Sequence, residues 1–446
     1  MEAQIKKDDA DISASDTDVP EPSLAEKEAA YERFVWDNLK RNYIGNYLHG
    51  MLGMTGFRLV NAPTFLPAYL HMISGSNTIV GLGLALQQVG SIVSPVVGAT
   101  QIEHRTKVMP AAVWMGGLAR VQIVGMALAG WFMSGQPLVI AMLLFMFLFG
   151  LFMGAQRVVF GLLMAKVIPL SRRGRLQAWR NATGGLIAAV LAWAAGKYLI
   201  AGNVFGNGYA TTFALAALLT SAGLWALQIL LREPEPPNLP KAARFRDRVK
   251  DFPRLIMSDK GYAWFLVVQM VATASRIATP FYIIYVSSTM SLDGKTLGLL
   301  SLAYLGADTI SNLVWGYLGD KTGFRLVLIF SLAGWAAATT LLMLNHAPWA
   351  IFLSFFGLGA AQSGYMMAAQ TMILEFGSRA EMPMRIAISS TAEGIMASLG
   401  PLVGGLMADH LGFNVVFGTS LGFLVVGLLI LLTVVKEPRT AKMASL

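Results

Sequence analysis

Between residues 46 and 435 the chain divides, at turn residues and charge clusters, into twelve mostly apolar stretches. They are 46–70, 79–101, 108–131, 138–165, 175–199, 210–231, 262–287, 296–319, 326–344, 349–375, 384–408 and 413–435. About 20 apolar residues in helical form cross a bilayer core. No water is present there to satisfy the backbone, so a lipid-exposed span of this kind has to be a helix. The expected fold is therefore an all-α membrane protein with twelve transmembrane helices. Composition agrees, because 55% hydrophobic and 13% charged residues in a chain of 446 leave too little polar surface for a soluble globule.

Charge then orients the spans. Of the 34 Lys and Arg, Arg58, Arg120, Arg157 and Arg276 lie deep within spans, Lys197 and Lys295 fall toward one side, and the rest, with Arg175, Arg180 and Arg385 near the starts of their spans, fall toward the other. The positive-inside rule places that richer side, with both termini, in the cytoplasm of a cell membrane, with a bacterial inner membrane the expected setting. The net charge of +9 thus serves topology, and no nucleic acid is expected as a partner. The chain has no Cys, which excludes disulfides, thiol catalysis and Cys-ligated metals, and its five His are scattered. No P-loop pattern is present. No enzyme chemistry, metal or cofactor is expected, and the chain is expected to act as a monomer.

Residues 1–22 are polar and are expected to be disordered. No signal-peptide apolar core appears in the first 45 residues, so the first membrane helix should persist in the mature protein. Ser23 and Glu26 have capping-box spacing ahead of a segment with Leu24, Tyr31, Phe34, Val35 and Leu39. That segment should form an amphipathic helix, either lying on the membrane or packed on the bundle as a solvated helix. Residues 232–260 form the one long hydrophilic interior stretch. The expected organisation is a cytoplasmic tail (1–45), a six-helix bundle (46–231), a cytoplasmic linker (232–261), a second six-helix bundle (262–435) and a cytoplasmic tail (436–446).

The two sets of six helices look duplicated. A fixed shift of 218 residues places Thr78 on Thr296, Gly98 on Gly316, Lys107 on Arg325 and Arg58 on Arg276 without a gap. Between helices 8 and 9 the loop reads Gly316-Tyr-Leu-Gly-Asp320-Lys-Thr-Gly323-Phe-Arg325. This resembles the G-x-x-x-D-x-x-G-x-R signature of the major facilitator superfamily, and the resemblance covers roughly residues 45–436. It implies two six-helix repeats around a midplane site, with Gly316, Asp320, Gly323 and Arg325 as a cytoplasmic gate in which acid and base form a latch. The first-half counterpart, Gly98 to Lys107, departs from the pattern: its acid, Glu103, comes one place late and the second glycine is absent.

The ionisable residues inside the spans are the candidates for function, because a charge in the bilayer persists only beside a cavity or a partner. Arg58, Arg120, Arg276 and Asp308 lie near mid-span, and Glu393 about a third of the way into helix 11. A guanidinium presents a planar fork to carboxylate or phosphate oxygens and keeps its proton, so arginines here suit anion binding. Carboxyls can take up and release a proton, which makes Asp308 and Glu393 candidates for proton coupling. The alternative use of all these charges is mutual pairing as buried ion pairs. In the superfamily resembled here, helices 1 and 7 line the central cavity, and its glycerol-3-phosphate transporter group carries a comparable arginine pair. That resemblance supports an anionic ligand more than phosphate in particular. Asn61 and Tyr304 are expected to help orient the ligand. Pro63, Pro67, Pro95, Pro280 and Pro401 mark places where helices can kink.

The function expected is secondary transport of a small organic anion by alternating access, as a symport with protons. Two alternatives stay open: an exporter of amphipathic drug-like or lipid-like compounds, and a sensor or assembly protein that does not transport.

Overall fold

The computed structural model describes residues 23–102, 105–236, 252–376, 381–435 and 437. Among these residues there is no strand, and each expected span is a helix. Helix 1 comprises Leu39–Asn61 and Phe65–Ser74, helix 2 Asn77–Ile102, helix 3 Met109–Phe132, helix 4 Gly135–Val167 and helix 5 Leu170–Ile200. Helix 6 is Gly208–Leu230, helix 7 Lys260–Thr289, helix 8 Gly294–Thr322 and helix 9 Phe324–Leu344. Helices 10, 11 and 12 are Pro348–Ile373, Met382–Leu411 and Phe413–Thr433. Helices 3 to 12 are each long and apolar enough to cross a membrane.

Packing repeats with the sequence. Helix 1 packs on 6 and 5, helix 2 on 4, and helix 3 on 4 and 6; likewise helix 7 packs on 12 and 11, helix 8 on 10, and helix 9 on 10 and 12. The two sets meet through helices 2 and 11 and through helices 5 and 8, which are equivalent pairings under the same repeat. Small residues make both approaches close. A Cβ added to Gly196 would lie 2.4 Å from Gly298 Cα, and one added to Gly81 would lie 2.1 Å from the Pro401 carbonyl oxygen. No residue but glycine fits such backbone contacts.

Helix 1 begins at Leu39, ahead of the span expected from 46, and its first buried side chain is Asn42, bonded to the Arg232 backbone. Ser23 and Glu26 form the capping box expected of them, opening a short helix, Leu24–Asp37. The Glu26 carboxyl, bonded by the Ser23 N–H and hydroxyl, is held below its ordinary pKa. That short helix is tied to the bundle by the Tyr31 hydroxyl, which donates to the Lys166 carbonyl at 2.9 Å, and by buried Val35.

Candidate functional site

Two membrane helices are interrupted beside one cavity. Helix 1 stops at Asn61 and resumes at Phe65, leaving Ala62, Pro63 and Thr64 outside helical bonding. Helix 7 runs to Ala274, tightens into a 3-10 turn over Ser275–Ala278, and resumes at Phe281 after Pro280. Proline at each break lacks the N–H that would close the helical ladder. Irregular backbone at membrane depth is tolerated where it lines a cavity, and both breaks do so. A small cavity of about 210 Å³ is walled by Asn61, Ala62, Pro63 and Leu66 of helix 1 and by Thr273, Arg276, Thr279 and Pro280 of helix 7. Pro67 of helix 1, Leu84, Gln87 and Gln88 of helix 2, and Ala397 and Pro401 of helix 11 complete it.

Arg276 sits in the tight turn and donates no side-chain hydrogen bond or ion pair among the described residues. The Thr279 hydroxyl, also on the cavity wall, is buried with no hydrogen-bond partner among the described residues. Asn61 is fixed by two bonds: its Nδ2 donates to the Phe57 carbonyl at 2.8 Å, and its Oδ1 accepts from Gln87 Nε2 at 2.6 Å. The cavity therefore presents a cation, an open hydroxyl and amide groups against an otherwise apolar wall.

Behind Arg276 lies a hydrogen-bonded carboxyl. Glu393 Oε1 accepts from the Tyr365 hydroxyl at 3.0 Å and from Gln269 Nε2 at 3.2 Å, and Tyr365 also contacts the Thr273 hydroxyl at 3.0 Å. Arg276 is within electrostatic reach of Glu393 and Tyr365 without touching either. Glu393 thus has neutral donors and no salt-bridge partner among the described residues.

Arg58 is placed differently from Arg276. Its Nη1 lies 2.7 Å from Asp308 Oδ2 and 3.0 Å from the Thr309 hydroxyl, joining helix 1 to helix 8. The structure therefore does not bring both arginines free to the cavity; one faces it, and the other is neutralised beside it. Tyr304 lies within electrostatic reach of Asp308, Arg276 and Arg58 but is not among the residues that wall the cavity.

Arg120, read from the sequence as a ligand contact, is away from this cluster. It is buried, with Nε donating to the Thr220 carbonyl at 2.8 Å and Nη1 to the Gly116 carbonyl at 2.6 Å and Gln156 Oε1 at 3.1 Å. Its guanidinium also lies over the Phe57 ring, 5.5 Å from the centroid. The side chain turns toward helices 4 and 6 and away from the cavity.

The gate motif needs a similar correction. Among the described residues no ion pair joins Arg325 to Asp320. Arg325 Nε donates to the Val435 carbonyl at 2.6 Å and its Nη2 to the Leu431 carbonyl at 2.9 Å, capping the end of helix 12. A cation suits that position, since the last carbonyls of a helix are unpaired. Gly323 carries the turn between helices 8 and 9 with φ 91°, a conformation open to glycine. A Cβ on Gly323 would also strike the Glu437 carboxylate, 2.4 Å away. Gly316 faces helix 10, with Met367 Sδ 4.0 Å from where its Cβ would be. Side chains of most of the first-half counterpart, including Gly98 and Glu103, fall outside the described residues, as does the side chain of Pro95.

One polar contact between the two sets of helices was not anticipated. Asp409, near the end of helix 11, caps the start of helix 2. It accepts from the Ser76 hydroxyl at 2.9 Å, the Asn77 and Thr78 N–H groups at 3.0 and 2.8 Å, and the Thr78 hydroxyl at 2.7 Å. Asp293 does the same for helix 8, accepting from the Thr296 N–H at 2.8 Å. The Thr78–Thr296 match in the sequence was the visible half of this correspondence.

Residues 264–445 match the family model described as Major Facilitator Superfamily. The multidrug resistance protein MdtG of Salmonella choleraesuis (strain SC-B67) is 27% identical over 173 residues, covering 38% of this chain and 42% of that protein. MdtG of Serratia proteamaculans (strain 568) is 27% identical over 176 residues with the same coverage. The aligned segment thus spans about two-fifths of the length of these curated relatives. Over nearly the whole chain the fold is similar to that of a mutant of the nucleoside transporter NupG, with TM-score 0.71, 12% identity, and 89% and 100% of the two chains covered. It is also similar to that of a D-xylose-proton symporter, with TM-score 0.70, 14% identity, and 90% and 99% covered. The second half of this multi-pass helical membrane protein thus matches the Major Facilitator Superfamily model, and its fold is similar over nearly the whole chain to those two solved transporters.

Proposed function

We propose that the chain is a secondary transporter that carries a small organic anion, bearing a carboxylate or phosphate, by alternating access with coupling to protons. The observation that carries this reading is Arg276: a guanidinium without a protein partner among the described residues, on the wall of a cavity between two interrupted helices. A cation in that setting is held ready for an anion. Thr279 and the Asn61–Gln87 pair supply hydrogen bonds that would fix the ligand's orientation. Glu393, held by Tyr365 and Gln269, is the carboxyl placed to exchange a proton as the charge near Arg276 changes.

In this reading the first and last six helices rock about the cavity as two bundles, and the terminal side, with the linker, faces the cytoplasm of a bacterial inner membrane. The contacts at Gly196–Gly298, Gly81–Pro401 and Asp409–Thr78 all lie toward the face bearing loops 75–76, 201–207, 290–293 and 412, so that face is the closed one. Arg58–Asp308 would hold the helix 1–helix 8 interface in this state. The working unit is a monomer.

A second reading, export of amphipathic compounds, draws support from the similarity to MdtG and from the Pro63, Leu66, Pro67, Leu84 and Pro401 surface of the cavity. Purified protein in liposomes decides between the two. Uptake or efflux driven by a proton gradient and competed by organic anions supports the first, whereas competition by lipophilic cations with no effect of anions would sink it.

A further inference from the structure

We propose that the groove between the N-terminal end of helix 1 and helix 5 is a binding site for an anionic phospholipid. The groove is about 680 Å³ and lies at the terminal side of the bundle. Its mouth is ringed by Lys40, Arg172 and Arg175, all exposed, and its length is apolar and aromatic, from Trp36 and Tyr43 to Ile44 and Trp179. Trp36 and Trp179 are 52% and 53% exposed, the position of tryptophans that sit at a headgroup boundary.

Charge identifies the occupant. None of the three cations has an acidic or hydrogen-bonding side-chain partner among the described residues, and no acidic side chain lines the groove. Their neighbour Arg173 is used differently: it donates to the Ile168 and Ala165 carbonyls at 2.8 and 2.6 Å and closes the turn between helices 4 and 5. The larger groove beside helices 3 and 6 makes a useful contrast. There Lys107 already pairs with Glu235 at 3.3 Å, and Glu233 lines the wall, bonded to Lys166 at 2.9 Å. Cations left unpaired above an apolar trough at the interface fit a phosphate headgroup whose acyl chain runs down the trough.

Native mass spectrometry of the full chain, titrated with phosphatidylglycerol or with phosphatidylcholine of the same acyl chains, tests the assignment. Wild type should retain phosphatidylglycerol at much lower concentration. Each basic residue near an anionic surface contributes about fivefold, so Lys40→Gln/Arg172→Gln/Arg175→Gln should lose on the order of a hundredfold of that preference. Lys107→Gln/Arg232→Gln should keep it. Should the triple variant fail to insert, each single variant should still lose a few-fold. Equal retention of the two lipids by wild type, or an unchanged preference in all of these variants, would overturn the proposal. So would displacement of the lipid by millimolar glycerol 3-phosphate, which would mark a soluble anion as the occupant. A preference that emerges only after deletion of the acidic residues 1–22 would give the groove to that segment and likewise overturn it.

Discussion

Arg58 and Asp308, 250 residues apart in the chain, meet at 2.7 Å and are four-fifths buried, linking helix 1 to helix 8. Each is the other's neutralising partner in a medium where either alone is costly. Arg58→Gln or Asp308→Asn alone should therefore destabilise the protein by about 3 kcal/mol, the range for removing one member of a buried pair. The double variant should recover most of that loss, because no lone charge remains. Thermal unfolding in detergent measures all three. A double variant no more stable than the singles would show that the pair is not a closed unit.

Arg276 should behave in the opposite way. With no protein bond to lose, Arg276→Gln should fold and insert like wild type while anion affinity falls. A charge-assisted bond is worth about 1.5–3 kcal/mol, or on the order of ten- to a hundredfold in affinity. Arg276→Lys should restore part of it, keeping the charge without the fork. A thermal-shift screen against organic anions reads both stability and affinity, and unaltered anion binding by Arg276→Gln would remove the ligand role.

These two arginines also show what could and could not be seen in the chain. The twelve spans, the duplication and the equal depth of Arg58 and Arg276 follow from length, hydropathy and register, which are properties of one dimension. Which neighbour a side chain faces depends on helix rotation and tilt, and those are set by packing between segments hundreds of residues apart. Hence the side chain of Arg120 turns to helices 4 and 6 instead of the cavity, and Asp409 passed unnoticed because its four donors lie at Ser76 and the first two residues of helix 2. Pro63 and Pro280 marked the helix breaks correctly, since a missing N–H is local chemistry.

Glu393 is expected to be the proton-exchanging group. Glu393→Gln keeps the shape and the bonds to Tyr365 and Gln269 but cannot take up and release a proton near neutral pH. The expected result is loss of pH-driven accumulation with substrate exchange across liposomes retained. Tyr365→Phe, which removes one donor to Glu393, should shift the pH profile of accumulation without abolishing it. Full pH-driven accumulation by Glu393→Gln would assign coupling elsewhere.

Gly323 offers a test of the turn between helices 8 and 9. At φ 91°, with Glu437 2.4 Å from where a Cβ would stand, Gly323→Ala should cost about 1–3 kcal/mol from backbone strain, and more from displacing the carboxylate. Gly418, which has open space around it, is the control: Gly418→Ala should be neutral or slightly stabilising. Equal melting temperatures for the two variants would argue against the strained turn.

Asp409 gives the last prediction, because among the described residues its carboxylate ties helix 11 to the start of helix 2 at the face bearing loops 75–76 and 412. Four donors converge on its carboxylate, and two of them are the N–H groups of Asn77 and Thr78 at a helix start, where a negative charge is favoured. Asp409→Asn keeps the size, but it replaces one acceptor oxygen with a donor that meets other donors. The face bearing loops 75–76 and 412 should then open more often. Because the chain has no Cys, a single cysteine introduced at Leu84, on the cavity wall, can be labelled without background. Labelling by a membrane-impermeant thiol reagent applied from that face should speed up several-fold in Asp409→Asn, and bound substrate should change the rate in both proteins. Identical labelling rates with and without the substitution would mean that the glycine contacts at Gly81 and Gly196 close this face by themselves, and that Asp409 only caps the helix.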